Sequence, residues 1–220
     1  MNGISLTHES IGQRRPTTKW SHPRLETTIE LYHVYAEKPA AICRTLKDAV
    51  VLKCDAFNEV ICDIQPHRAG VKPIVPTLVN CREIYCVEVD PKRVELAQKK
   101  FPEAEFICGD LREVEFDGGK FDAVFDLSTI DHMTFEEAAK VVGKYHSWLK
   151  PGGTLLIVAW LTFGASTTRE NDMTYESQYY FNAEDFTQLL WSMFDVTERD
   201  ALFGSRSGPL LVSYTCRKVK

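Results

Sequence analysis

The 220-residue chain holds seven cysteines, yet none forms a C-x-x-C pair and no histidine stands at finger-like spacing from two of them. The sequence signs of a zinc ribbon or finger are therefore missing, and no metal site is expected. The odd count, with apolar neighbours at Cys43, Cys62, Cys86 and Cys108, reads as small buried hydrophobes in a reducing compartment. Long apolar runs are absent too. The longest, Leu155 to Trp160, is far too short to cross a bilayer, and the first 24 residues contain no hydrophobic core of a secretory signal. The expectation is a cytoplasmic protein with no membrane partner. An excess of basic charge is also lacking: 26 Lys and Arg against 31 Asp and Glu leave a net charge of −5. That balance offers no electrostatic footprint for a phosphate backbone, so no nucleic-acid partner is expected. With 44% hydrophobic and 26% charged residues, the composition is that of one ordinary globular domain, which excludes disordered and fibrous classes.

What is present is an alternation of strand and helix patterns. Residues 1–23 are polar, and Leu25, Ile29, Tyr32 and Ala36 then recur at helical spacing, with Pro39 placed to open a second short helix. Residues 1–56 are thus expected to form an N-terminal arm and helical lid on a domain spanning 57–220. Glu59–Ile64 reads as the first strand, residues 73–80 as a short helix, and Glu83–Val89 as the second strand. Asp90-Pro91 supplies an N-cap and a first-turn proline for a helix reaching about Lys100. Strands follow at 105–108 and 121–127. Thr134-Phe-Glu-Glu137 is a capping box opening a long helix, and Lys150-Pro-Gly-Gly153 turns into a fifth strand at 154–160. Asn182 caps a last helix. The short linker 204–208 between strands at 195–202 and 210–216 requires an antiparallel hairpin. The predicted architecture is an α/β fold: a seven-stranded, mostly parallel, doubly wound sheet with a C-terminal antiparallel hairpin and a helical N-terminal extension.

Four segments, in this order, resemble the class I (Rossmann-like) S-adenosylmethionine-dependent methyltransferases. They are Val60-Ile-Cys-Asp-Ile64, Tyr85-Cys-Val-Glu-Val-Asp-Pro91, Phe106-Ile-Cys-Gly-Asp110, and Phe121-Asp-Ala-Val-Phe-Asp126 with Trp148-Leu-Lys-Pro-Gly-Gly153. The resemblance implies S-adenosylmethionine as cofactor and a set of residues to hold it. Asp63 takes the place of the first-strand acid, Glu88 with Val89 that of the ribose site, and Asp110 with Leu111 that of the adenine site. Asp126 and Ser128 close the cofactor edge of the fourth strand. A strand-end carboxylate suits a ribose diol, and Glu88 lies eighteen residues beyond Gly70. The family's first loop alternates glycines; counted from Asp63, those places hold Gln65, His67 and Ala69, with Gly70 one step late. Side chains there must replace backbone contacts, or the loop must run elsewhere.

Methyl transfer needs the acceptor held in line, and a base where the acceptor loses a proton. Asp131 and His132, between the fourth strand and Thr134, are the candidate catalytic pair; their bland alternative is helix capping. Aromatics in 161–181, with Tyr32 and Tyr35, either wall a pocket for a small-molecule acceptor, pack lid on sheet, or form a homodimer surface. The alternatives in function are a non-catalytic protein retaining the fold and an aminopropyltransferase-like enzyme.

Overall fold

The computed structural model describes residues 28–65, 70–171, 176–204 and 208–219. The arm at 1–23, His67 and Tyr175 lie outside these. Helix α1 runs Thr28–Thr45 and contains Pro39 within it, so the two expected short helices are one. Strand β1 is Ala49–Cys54 and helix α2 is Phe57–Ile64. The segment read as the first strand is therefore a helix, and the true first strand lies in the stretch assigned to the lid. Phe57, Val60, Ile61 and Ile64 carry helical spacing, with Val60 and Ile61 fully buried. The run Val60-Ile61-Cys62 mimics a strand only when its flanks are ignored. Between α2 and the next strand, the helix expected at 73–80 shrinks to one 3₁₀ turn, Val75–Thr77, since Pro73 and Pro76 permit no more.

From there the expected and observed elements agree closely: β2 (Cys81–Glu88), α3 (Pro91–Lys100), β3 (Glu105–Cys108), β4 (Phe121–Leu127), α4 (Phe135–Trp148) and β5 (Leu149–Thr162). Asp90 caps α3 through Lys92 N–H, and the Thr134–Glu137 capping box is complete in both directions. Residues 161–181 are not a loop but carry a hairpin, β6 (Thr167–Asn171) and β7 (Glu176–Asn182). Asn182 then caps α5 (Ala183–Met193), which leads into the antiparallel pair β8 (Phe194–Gly204) and β9 (Leu210–Lys218).

The parallel sheet runs β3-β2-β1-β4-β5, β9 joins β5 in the antiparallel sense, and β8 lies beyond β9. The hairpin docks through two β5–β7 pairs at Leu161 and Thr162, raising the expected seven strands to nine among the described residues. Alternation along β1 assigns Val50, Leu52 and Cys54 to the core under α4 and α5, and Ala49 and Val51 to the core under the first three helices. Lys53 falls on that second face, fully buried. Its Nζ lies 3.0 Å from Asp55 Oδ1, 3.0 Å from Glu59 Oε2 and 2.8 Å from the Asp55 carbonyl. Burial alone would push this ammonium down, but the two facing carboxylates outweigh it and hold it above the usual lysine range. Glu59 Oε1 meanwhile accepts Ile74 N–H and Val75 N–H, so one carboxylate joins β1, α2 and the 3₁₀ turn.

Replacing Lys53 by Met removes the charge and leaves Asp55 and Glu59 facing each other without compensation. Removing one partner of a buried ion pair costs about 3–5 kcal/mol, and urea unfolding of Lys53→Met is expected to report a loss of that size. A loss below about 1 kcal/mol would mean that this cluster does not anchor the loop.

Candidate functional site at the strand ends

In the order β3-β2-β1-β4-β5, the direction of winding reverses between β1 and β4, and the carboxyl ends on either side of that point frame a crevice. A cleft of about 570 Å³ lies there. Its floor is set by Asp55 after β1, Glu88 at the end of β2, Asp110 after β3 and Ser128 after β4. Tyr32 and Tyr35 of α1 border one side, and Trp160 of β5 with Gln178 of β7 another.

Two of these strand ends adopt backbone angles that favour glycine: Asp55 at φ 73° and Ser128 at φ 71°. Local bonds make the angles tolerable. Asp55 Oδ1 accepts Phe57 N–H at 2.8 Å, an Asx turn, and its Oδ2 accepts the Thr129 hydroxyl at 2.9 Å. Ser128 Oγ and Tyr35 Oη share a hydrogen bond of 2.6 Å, which pins α1 over the end of β4. The loop after the first strand is thus 55–58, which contains no glycine, rather than 65–70. Strained residues at a cleft mark a place where geometry has been kept at a cost in stability.

Glu88 is 3% exposed and borders the cleft. Its Oε2 accepts Ala56 N–H at 3.0 Å and its Oε1 accepts Asp90 N–H at 2.9 Å. Burial and the Asp55 charge raise its carboxyl above the usual range, opposed by the two amides and by Arg93. Asp110 is more committed: the side chain and amide of Arg112 hold both its oxygens, and Arg112 also pairs with Glu137. That ion pair lowers the Asp110 carboxyl below its ordinary value.

Of the other residues named from sequence, Gln65, Val89, Leu111 and His132 border the cleft with Glu88, Asp110 and Ser128. Asp63 does not; it stands on the outer surface of α2, bonded to Lys100 Nζ at 2.6 Å, because the segment is a helix and turns this side chain away from the sheet. Gly70 is an exposed turn residue with φ 109° and stands outside the cleft wall. Asp126 and Asp131 lie beneath the wall, both fully buried. Asp126 Oδ1 accepts Thr129 N–H at 2.8 Å and Ile130 N–H at 3.1 Å, and its Oδ2 accepts the Tyr145 hydroxyl at 2.8 Å. Asp131 Oδ2 accepts Gln178 Nε2–H at 3.1 Å, and burial drives its carboxyl well above the usual range. It therefore braces the 3₁₀ turn Ile130–His132 against the β6–β7 hairpin. Asp55, Phe57 and Asn58 belong to the cleft but went unnamed, since misplacing the first strand displaced the loop after it; Thr129, after β4, borders the cleft as well. The fully apolar run Ala49–Leu52 was the available signal. Cys108, expected to be buried, is exposed.

Residues 70–157 match the family model described as a methyltransferase domain. Over 66 residues the chain is 35% identical to the phosphoethanolamine N-methyltransferase of Plasmodium falciparum (isolate 3D7), covering 30% of this chain and 23% of that protein. The match thus spans less than a quarter of the relative. The fold is similar to that of the 1,6-didemethyltoxoflavin-N1-methyltransferase of Burkholderia thailandensis, solved with 1,6-didemethyltoxoflavin and S-adenosylhomocysteine. There the TM-score is 0.61 at 17% identity, over 87% of this chain and 85% of that one. The cyclase SpnF is similar at a TM-score of 0.62 and 16% identity, over 91% and 85%. At such identities the likeness is one of fold.

Burial raises the Asp126 carboxyl to about 6 from an ordinary value of 3.8. The folded chain then holds this proton more tightly than the unfolded one, so the contribution is present at low pH and is lost as pH rises through about 6. Wild type should therefore gain stability over Asp126→Asn on going from pH 7 to pH 5, by about 1 kcal/mol. Paired melting curves at the two pH values check this; parallel shifts in both proteins would remove Asp126 as the titrating group.

Proposed function

Residues 70–157 match a methyltransferase-domain model and the fold is similar to that of a methyltransferase solved with S-adenosylhomocysteine; on these grounds we propose that the chain is a class I methyltransferase that binds S-adenosylmethionine in the strand-end cleft and methylates a small-molecule acceptor. The observation that carries this reading is Glu88: a nearly buried carboxylate at the end of β2, bordering the cleft at the switch in strand order. Each of its oxygens accepts one backbone N–H, which leaves acceptor capacity for a ribose diol. Asp110 and Leu111, side by side after β3, bracket the space for the adenine. Gly109 is required between them and β3, because a Cβ there would meet Val114 Cγ2 at 2.7 Å. When bound, the cofactor supplies a methyl group already activated on a sulfonium.

The chain's own contribution is orientation, exclusion of water and the handling of one proton. Tyr32, Tyr35 and Trp160 give the far side of the cleft an apolar wall with hydroxyl and indole handles, suited to a small organic acceptor. The curated relative and the Burkholderia structure are both N-methyltransferases of small molecules, which supports an acceptor of that size. His132 borders the same cleft from the 3₁₀ turn after β4 and is the proposed base. Asp131, buried beneath the cleft wall, is assigned to bracing that turn through Gln178 rather than to proton transfer. A second reading, a fold retained for binding without methyl transfer, is favoured by the glycine-free loop at 55–58. Binding of cofactor without turnover of any acceptor would select it.

Glu88→Ala is expected to weaken S-adenosylmethionine binding by about 1.5–3 kcal/mol in calorimetric titration, the range for hydrogen bonds to a charged group. Unchanged affinity in a folded variant would take Glu88 out of the site. For an acceptor that loses a proton, His132→Ala should slow turnover about 10²–10⁴-fold while cofactor affinity stays within a factor of a few. Wild-type turnover in His132→Ala would leave that residue as scaffold.

A further inference from the structure

Cys43 and Cys81 are thirty-eight residues apart in the chain, and the fold sets their Sγ atoms 3.3 Å from each other in a hydrogen bond. Cys43 lies in the last turn of α1 and is fully buried, whereas Cys81 opens β2 and is half-buried. The sulfurs of a disulfide stand about 2.05 Å apart, so a small side-chain movement closes the gap. Hydrogen bonding to Cys43 draws the Cys81 thiol below its ordinary value. The same bond, together with burial, holds Cys43 above its own. Since the thiolate is the nucleophile, the pair divides into a reactive sulfur near solvent and a shielded one behind it. The two residues also join parts that matter to the cleft. Helix α1 brings Tyr32 and Tyr35 to its border, and the far end of β2 carries Glu88. Hydrogen bonds from the segment before β2 to α1 are long: 3.4 Å from the Thr77 hydroxyl to the Ala36 carbonyl, and 3.5 Å from Asn80 Nδ2 to the Arg44 carbonyl.

We propose that Cys43 and Cys81 form a modification site for a peroxide oxidant, which converts them to a disulfide that fastens α1 to β2. The Cys81 thiolate attacks one peroxide oxygen, the O–O bond breaks, and the departing oxygen takes a proton and leaves as water, giving a sulfenic acid. Cys43 then gives up its proton and attacks the sulfenic sulfur; the S–O bond breaks and a second water leaves. Two thiols lose two electrons in all, and one peroxide is reduced to two waters. Only Cys81 has to meet the oxidant, which suits its greater exposure, while buried Cys43 resolves the intermediate from within. The cross-link spans thirty-eight residues, so it restricts the unfolded chain and stabilises the folded one. A dithiol reductant reverses it.

The test treats the full chain with hydrogen peroxide near neutral pH, blocks the remaining thiols with iodoacetamide, and maps the digest by mass spectrometry without reductant. One cross-linked peptide pair carrying Cys43 and Cys81 is expected, and dithiothreitol should remove it. The oxidised chain should melt about 5–15 °C above the reduced one. Because Cys43→Ser changes a fully buried site, the half-buried Cys81→Ser is the deciding variant: it should fold, give no cross-link and show no rise with peroxide. Cys108 is exposed and competes for oxidant, so Cys108→Ser should keep both the cross-link and the rise. A folded wild type in which peroxide leaves Cys43 and Cys81 unlinked overturns the proposal. So does a cross-link with no change in melting, or an equal rise in Cys81→Ser.

Discussion

One buried ammonium organises the cleft end of this molecule. Lys53 stands in the middle of a sheet with no water to solvate it, so it must draw carboxylates inward. It takes Asp55 from the end of its own strand and Glu59 from the helix that follows. The turn between β1 and α2 is then fixed by charge rather than by the conformational freedom of glycine. Asp55 can hold φ 73° because Lys53, Phe57 N–H and Thr129 all bind its carboxylate. Glu59, anchored by the same ammonium, caps the peptide groups of Ile74 and Val75 and brings the 3₁₀ turn against α2.

A second buried acid repeats this logic on the neighbouring strand. Asp126 gathers the amides of Thr129 and Ile130 and the Tyr145 hydroxyl, and Cys54 of β1 donates its thiol to that hydroxyl at 3.3 Å. The two strands flanking the switch point are thereby joined through one polar chain under the cleft floor. The arrangement places Thr129 between Asp55 and Asp126, so the loops after β1 and β4 share a residue. A ligand bound between them contacts two loops that are already locked together, which limits the reorganisation that binding requires.

From β2 onward, elements were legible because their signals were local. A strand of β-branched and aromatic residues, an Asp-Pro cap, a capping box and an asparagine cap each act within a few residues, and each is where the pattern placed it. Glu88, Asp110, Ser128 and His132 were found as consequences of that framework. The first βα unit was not legible for one reason: β1 carries a charged residue in a fully buried strand, and the partners that neutralise it lie two residues on, just past the strand, and six residues on, in α2. Without Asp55 and Glu59 in view, Ala49–Cys54 looks like the tail of a polar extension, and Val60-Ile61 takes its place. The β6–β7 hairpin was hidden for a related reason, since its aromatics pack against Trp160 and Phe135, distant in sequence.

Sequence alone determined the class of fold, the order of elements beyond residue 80 apart from the β6–β7 hairpin, the helix caps, and the acid at the end of β2, because hydrophobic period and capping chemistry are short-range. Tertiary structure alone decided which strand is first, which loop follows it at the cleft, and which acids face the cleft. Those depend on pairing charges across elements and on burial. Asp63 and Asp55 are equally acidic in the sequence; one faces solvent beside Lys100 and the other borders the cleft beside Lys53. Only the packing of α2 against the sheet separates them.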